Sequence, residues 1–158
     1  MFKVFKKEGI CHYMSRYVTL NWYNKKKFKI VKALMRPEII RAIVQQAAHA
    51  CMTKNAQAFA ALFAVNAEIL LPGHHLIGKA AIQKITADYL CTLVDINIKI
   101  HRIIVEGNHA LVEWCWEDRK QMTGEKKSRN NAIVLDFKSG LIYRWREYRC
   151  EHNSFSHS

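Results

Sequence analysis

The residues best suited to chemistry are one glutamate and three tryptophans in the second half of the chain. Residues 110–118 and 141–150 read as strands, and side chains alternate across a strand. Trp114 and Trp116 therefore share a face with Ala110 and Val112, and Tyr143, Trp145 and Glu147 share a face of the later strand. A carboxyl group walled by indole rings is desolvated, the setting of a general acid or base that works near neutral pH. The alternative is structural: tryptophans in strands are often simply core, and Glu147 could pair with Arg144, Arg149 or a helix residue.

Other reactive side chains carry less chemistry. His74 and His75 follow a strand and read as exposed loop residues, because a metal needs three or four converging ligands and adjacent histidines rarely supply two. His101 lies on the polar face of a strand, and His49 on the first helix could carry a proton but sits beside an apolar face as a lone histidine. The five cysteines, Cys11, Cys51, Cys91, Cys115 and Cys150, are odd in number and widely spaced, which favours buried reduced thiols over a disulfide framework or a zinc knuckle. The sequence has no Gly-rich phosphate loop and no Gly-x-Ser-x-Gly elbow, so no nucleotide or metal cofactor is expected.

The elements that must position these residues are legible from Met35 onward. Pro37 and Glu38 suit a first helical turn, and Ile40, Ile43, Ala47 and Cys51 recur at helical spacing. Asn55 is a good N-cap for a short second helix with Phe59, Leu62 and Phe63 on its apolar side. Residues 67–71 read as a strand ended by Pro72 and Gly73, and Gly78 precedes a third helix carrying Ile82, Ile85 and Tyr89. Strand-like runs follow at 96–100, 110–118, 132–137 and 141–150, separated by turns at Gly107-Asn108, Thr123-Gly124 and Ser139-Gly140. Helices first and antiparallel strands after is the order of an α+β domain with helices on one face of a sheet.

Composition narrows the function classes. The 158 residues are 50% hydrophobic and 24% charged, a globular profile with room for one domain. The net charge of +12 is uneven, since residues 1–34 hold nine Lys or Arg against Glu8 alone and so carry +8 of it. This basic extension, with Tyr13, Trp22 and Phe28 among its aromatics, could touch nucleic acid or an anionic membrane surface; the plainer expectation is a poorly ordered tail. No stretch approaches the roughly 20 apolar residues of a membrane span, so a soluble, cytoplasmic protein is expected.

Particular segments carry a family resemblance. Residues 62–69 (LFAVNAEI), Pro72-Gly73 and Gly78-Lys79-Ala80-Ala81-Ile82 resemble the SnoaL-like, nuclear transport factor 2-like superfamily, and Gly140-Leu141-Ile142-Tyr143-Arg144-Trp145-Arg146-Glu147-Tyr148 is similar to its last strand. The resemblance implies a domain over 35–152 with three N-terminal helices packed on a curved, mostly antiparallel sheet, forming a cone around a deep pocket, often in a dimer. It places Trp114, Trp116, Tyr143, Trp145 and Glu147 toward that pocket, with Ile69 and Leu71 from the first strand. The family includes polyketide cyclases, ketosteroid isomerases and limonene-epoxide hydrolases, as well as proteins that only bind. The isomerases' catalytic Asp falls at Leu71, and the epoxide hydrolases' Arg and Asp fall at Trp114 and Trp116, with only Glu147 retaining a carboxylate. The expectation is a pocket for a small apolar, ring-containing ligand, with cofactor-independent cyclase, isomerase or hydratase chemistry through Glu147 as an option. The alternative is a non-catalytic homodimeric interaction module whose basic arm meets an anionic partner.

Overall fold

A computed structural model describes residues 34–150, so the expected extension over 1–34 lies, except for Leu34, outside the described residues. Among the described residues, three helices and six strands follow in the order α1 (Pro37–Met52), α2 (Ala56–Ala61), β1 (Phe63–Leu71), β2 (His74–Ile77), α3 (Lys79–Leu90), β3 (Leu93–Glu106), β4 (His109–Lys120), β5 (Lys126–Lys138) and β6 (Leu141–Cys150). The strands form one sheet in the order β2-β1-β6-β5-β4-β3. Its pairs are antiparallel except β1 with β6, which run parallel. The class is α+β with a mixed sheet. Two of the helices precede β1, but α3 follows β2, so the helices do not form one N-terminal block. No helix among the described residues is long and apolar enough to cross a membrane.

Local sequence explains most of these elements. Pro37 stands in the first turn of α1 with Glu38 beside it, and Ile40, Ile43, Val44, Ala47 and Cys51 form one buried stripe. Asn55 caps α2, its Oδ1 accepting from the Ala58 N–H at 2.8 Å, a bond that contributes about 1 kcal/mol. Pro72 and Gly73, with Gly73 at φ +79°, occupy the two central positions of a tight hairpin in which Leu71 pairs with His74. That residue order is the one a type II turn requires.

Several elements differ from the sequence expectation, and β3 runs from Leu93 to Glu106 instead of over 96–100. Phe63 begins β1 instead of closing the second helix, because it pairs with Ile142 of β6 and is fully buried. His74 and His75 belong to the short strand β2 and not to a loop. β5 begins at Lys126, well before residue 132, because its polar first half is paired along β4 from Arg119 to Glu113. In each case hydrogen bonding to a distant strand overrides a weak local pattern.

The inward face of the sheet carries Ala67, Ile69, Val112, Trp114, Ile133, Leu135 and Trp145, and it packs against Ile40, Val44 and Ala47 of α1, Phe59 of α2, and Ile82 and Leu90 of α3. Among the cysteines, Cys51 is a buried free thiol as expected, whereas Cys91, at the C-cap of α3, is exposed and Cys115 is half-buried.

Candidate functional site

The inward face does not close completely. Between the sheet and α3 lies a cavity of about 280 Å³. Ile69 and Leu71 of β1, Trp114 and Trp116 of β4, and Trp145 and Glu147 of β6 all line it. Helices supply the remaining wall through Cys51, Phe59 and Leu90, and Ile85 and Tyr89 of α3 stand at its mouth, 43% and 40% exposed. These two apolar residues sit at the expected helical spacing yet remain accessible because they border the cavity and do not seal the core.

Tyr143 is the expected wall residue that the fold does not bring in. Phe137 pairs with Ile142 and Asp136 with Arg144, so Tyr143 is the extra residue of a bulge in β6. A bulge interrupts the alternation of faces. Ile142 and Trp145 consequently both point to the core, while the Tyr143 ring lies 5.6 Å beneath the Lys138 ammonium.

The tryptophans serve as both core and wall. Trp114 stands 5.5 Å from Trp145 and 6.4 Å from Trp116 between ring centroids, and Tyr89 lies 6.3 Å from Trp116. Phe59 meets Trp145 edge-on at 5.7 Å. Such tilted and edge contacts are the favoured aromatic geometries, and they hold a rigid, flat-sided wall.

Beside the tryptophans, on the same face of the sheet, runs a polar strip of which the sequence alone anticipated only the Glu147–Arg149 pair. Asn131 Nδ2 donates to Glu147 Oε1 at 3.0 Å, and Arg149 Nε donates to the same oxygen at 3.1 Å. Arg129 Nη2 donates to Tyr89 Oη at 3.1 Å and pairs with Asp118, whose Oδ2 also accepts from Trp116 Nε1 at 2.7 Å. Asp118 does not line the cavity, and its side chain is 1% exposed. Burial opposes the Arg129 charge, but the hydrogen bond to Tyr89 and the fields of Tyr89, Asp118 and Glu147 outweigh it and hold the guanidinium above its ordinary range. One signal for this strip was available: the alternation that aligns Trp114 and Trp116 reaches Asp118 two residues later. Arg129 and Asn131 carried no such signal, since they lie in the polar half of β5.

Cys51 adds a buried thiol to the wall. Burial, reinforced by the Glu147 charge, pushes its pKa from 9.0 up to about 12. A thiol whose folded value exceeds its unfolded one contributes stability that is complete below the unfolded value and is lost as pH rises toward the folded one. Between about pH 9 and 12, the wild-type protein should therefore lose up to about 1 kcal/mol per pH unit more than Cys51→Ala does. Denaturant titrations of both proteins across that range would measure the difference, and parallel curves would show that Cys51 is not buried in this way.

Of the histidines singled out in the sequence, only His74 comes near this centre. His49 is exposed on the outer side of α1 and cannot serve the cavity as a proton carrier. His74 reaches the rim, His75 turns outward to Glu68 at 3.8 Å, and His101 is exposed. Among the described residues no group of three or more His, Cys, Asp or Glu side chains is arranged to hold a metal ion.

Comparison with known proteins gives the fold a context. The pattern that defines the SnoaL-like domain matches residues 44–145. An NTF2-like protein from Anabaena variabilis superimposes with a TM-score of 0.65 at 15% identity, over 72% of this chain and 88% of that one. An LEH-like epoxide hydrolase from M. tuberculosis gives 0.62 at 18% identity, over 72% and 83%. A protein with a ketosteroid isomerase-like fold from Catenulispora acidiphila, solved with trimethylamine, gives 0.63 at 20%, over 72% and 86%. No curated protein matches the sequence. At these identities the likenesses show the fold alone.

Proposed function

Because the chain belongs to the SnoaL-like family and has the nuclear transport factor 2-like fold, we propose that it binds a small, mostly apolar, ring-containing molecule in the tryptophan-walled cavity. The observation that carries this reading is the cavity itself: Ile69, Leu71, Trp114, Trp116 and Trp145 surround about 280 Å³. An apolar cavity of about 150 Å³ accommodates benzene, so this one suits a molecule of one or two rings.

Glu147 is the candidate acid or base. Asn131 and Arg149 both hold Oε1, which leaves Oε2 to exchange a proton with a bound molecule. A reaction here would be cofactor-independent proton transfer of the isomerase or hydratase type. Leu71, Trp114 and Trp116, the positions to which the family resemblance would assign reacting groups, line the cavity with apolar side chains, and this favours binding as the primary role, with any chemistry confined to Glu147.

One-ring and two-ring apolar compounds should quench tryptophan emission saturably. Trp116→Ala should weaken that binding about tenfold or more, because it removes the ring that faces Tyr89 at the mouth. A broad panel of such compounds that leaves the emission unchanged would refute a ligand cavity.

A further inference from the structure

One oxygen of the cavity wall is left open by the fold. Asn131 Nδ2 and Arg149 Nε both donate to Glu147 Oε1, at 3.0 and 3.1 Å, and no described residue donates to Oε2. Among the described residues the buried side-chain nitrogens and oxygens that lack a partner belong to Trp114, Arg129, Asn131 and Arg146, and Oε2 is not one of them. An oxygen that is neither buried nor bonded is reachable, and Glu147 lines the cavity. The Glu147 charge is also felt at Cys51 of α1 and at Arg129 of β5, which line the same cavity.

Strand register fixes how far inside this acceptor stands. Trp116 pairs with Arg129 at the mouth, Trp114 with Asn131 and Asn131 with Arg149 in the next row, and Glu147 with Ile133 in the row beyond. Between the last two rows side-chain exposure falls from 31% for Arg149 to 10% for Glu147. A ligand group that meets Oε2 therefore goes in with the ring and does not stay at the mouth.

A carboxylate oxygen only accepts hydrogen bonds. Its match is an O–H or N–H, whereas an ether, a ketone or an anion sets lone pair against lone pair. Charge decides which kind of donor. Arg149 already supplies the counter-charge of Glu147, and Asp118 that of Arg129. An ammonium group would give up its water for a wall with no surplus negative charge.

We infer that the cavity selects an uncharged one- or two-ring molecule whose buried part carries an O–H or N–H donated to Glu147 Oε2. This rests on the reading of the cavity as a ligand site, and it names the ligand's chemistry and the residue that reads it.

Four probes of similar shape test it by calorimetry on the full chain at neutral pH. 5-Indanol has the donor, 5-methoxyindane the same oxygen without it, indane neither, and 2-aminoindane a positive charge. 5-Indanol should bind about tenfold more tightly than 5-methoxyindane or indane, because a hydrogen bond to a charged acceptor outweighs the cost of desolvating the hydroxyl. 2-Aminoindane should bind more weakly than 5-indanol. Glu147→Gln tests the residue itself: with Oε1 still held by Asn131 and Arg149, an amide NH2 replaces Oε2 and the acceptor becomes a donor. The advantage of 5-indanol over its methyl ether should then fall to within about twofold. If this variant does not fold, the order of the four probes on the wild-type protein still decides. The ether or indane binding as tightly as 5-indanol, the ammonium binding best, or an advantage that survives Glu147→Gln would overturn the inference while leaving the cavity as a binding site. No saturable binding by any of the four or by the wider panel would overturn both readings.

Discussion

Asp118→Ala should lower the stability of the protein by about 3 kcal/mol, far more than the loss of any exposed ion pair. The Asp118 side chain is 1% exposed and accepts from both Trp116 Nε1 and Arg129 Nη2. Alanine would leave a guanidinium that is only 20% exposed without its counter-charge, and an indole N–H without its acceptor. Removing one member of a buried pair usually costs about 3–5 kcal/mol, and the partial exposure of Arg129 argues for the lower end. The contrast is Asp95 with Arg119, 66% and 41% exposed, where Asp95→Ala should cost less than about 1 kcal/mol. Asp118→Asn should fall between, since an amide oxygen can still accept from Trp116. Equal effects of Asp118→Ala and Asp95→Ala in urea titrations would mean that the Asp118–Arg129 pair is not a buried ion pair.

Trp145→Ala should be comparably damaging, for a different reason. The Trp145 ring meets Phe59 of α2, Phe63 of β1 and Trp114 of β4 at centroid distances of 5.7, 6.0 and 5.5 Å, and the residue is 3% exposed. Truncation opens a void at the junction of four elements and joins it to the cavity. Large-to-small changes of this kind cost about 3–5 kcal/mol, so the melting temperature should fall by about 10 °C or more. Val65→Ala, at a site 81% exposed, should change stability by less than about 0.5 kcal/mol. A small shift for Trp145→Ala would show that the aromatic cluster is loosely packed. The same substitution should also loosen ligand binding, because the ring forms part of the cavity wall.

The candidate site was legible in the sequence to the extent that its residues obey a local period. Trp114 and Trp116 are two apart on an uninterrupted strand, and alternation alone predicts their common face. Alternation failed at Tyr143, where pairing with β5 inserts a bulge that one strand's sequence does not announce. His49 lies close enough in sequence to the buried stripe of α1 to suggest a role, but its direction around the helix points it outward. Arg129 and Asn131 were invisible for the opposite reason: they are polar residues in a polar stretch, and only their register opposite Trp116 and Trp114 turns them inward.

By itself the sequence determined the α+β class, most element positions, the Asn55 cap, the turns and the tryptophan face, because these depend on side-chain period and on backbone preferences within a few residues. Only the tertiary structure decided that β1 lies parallel to β6, that Tyr143 bulges out, and that Asp118, Arg129 and Asn131 form a polar strip beside Glu147. Those outcomes depend on which strands pair and in what register, and burying a charged or amide side chain is tolerable only once a partner from another strand is in place. The tryptophan wall is thus written locally, whereas the polar groups that would give a ligand its orientation exist only after the sheet has formed.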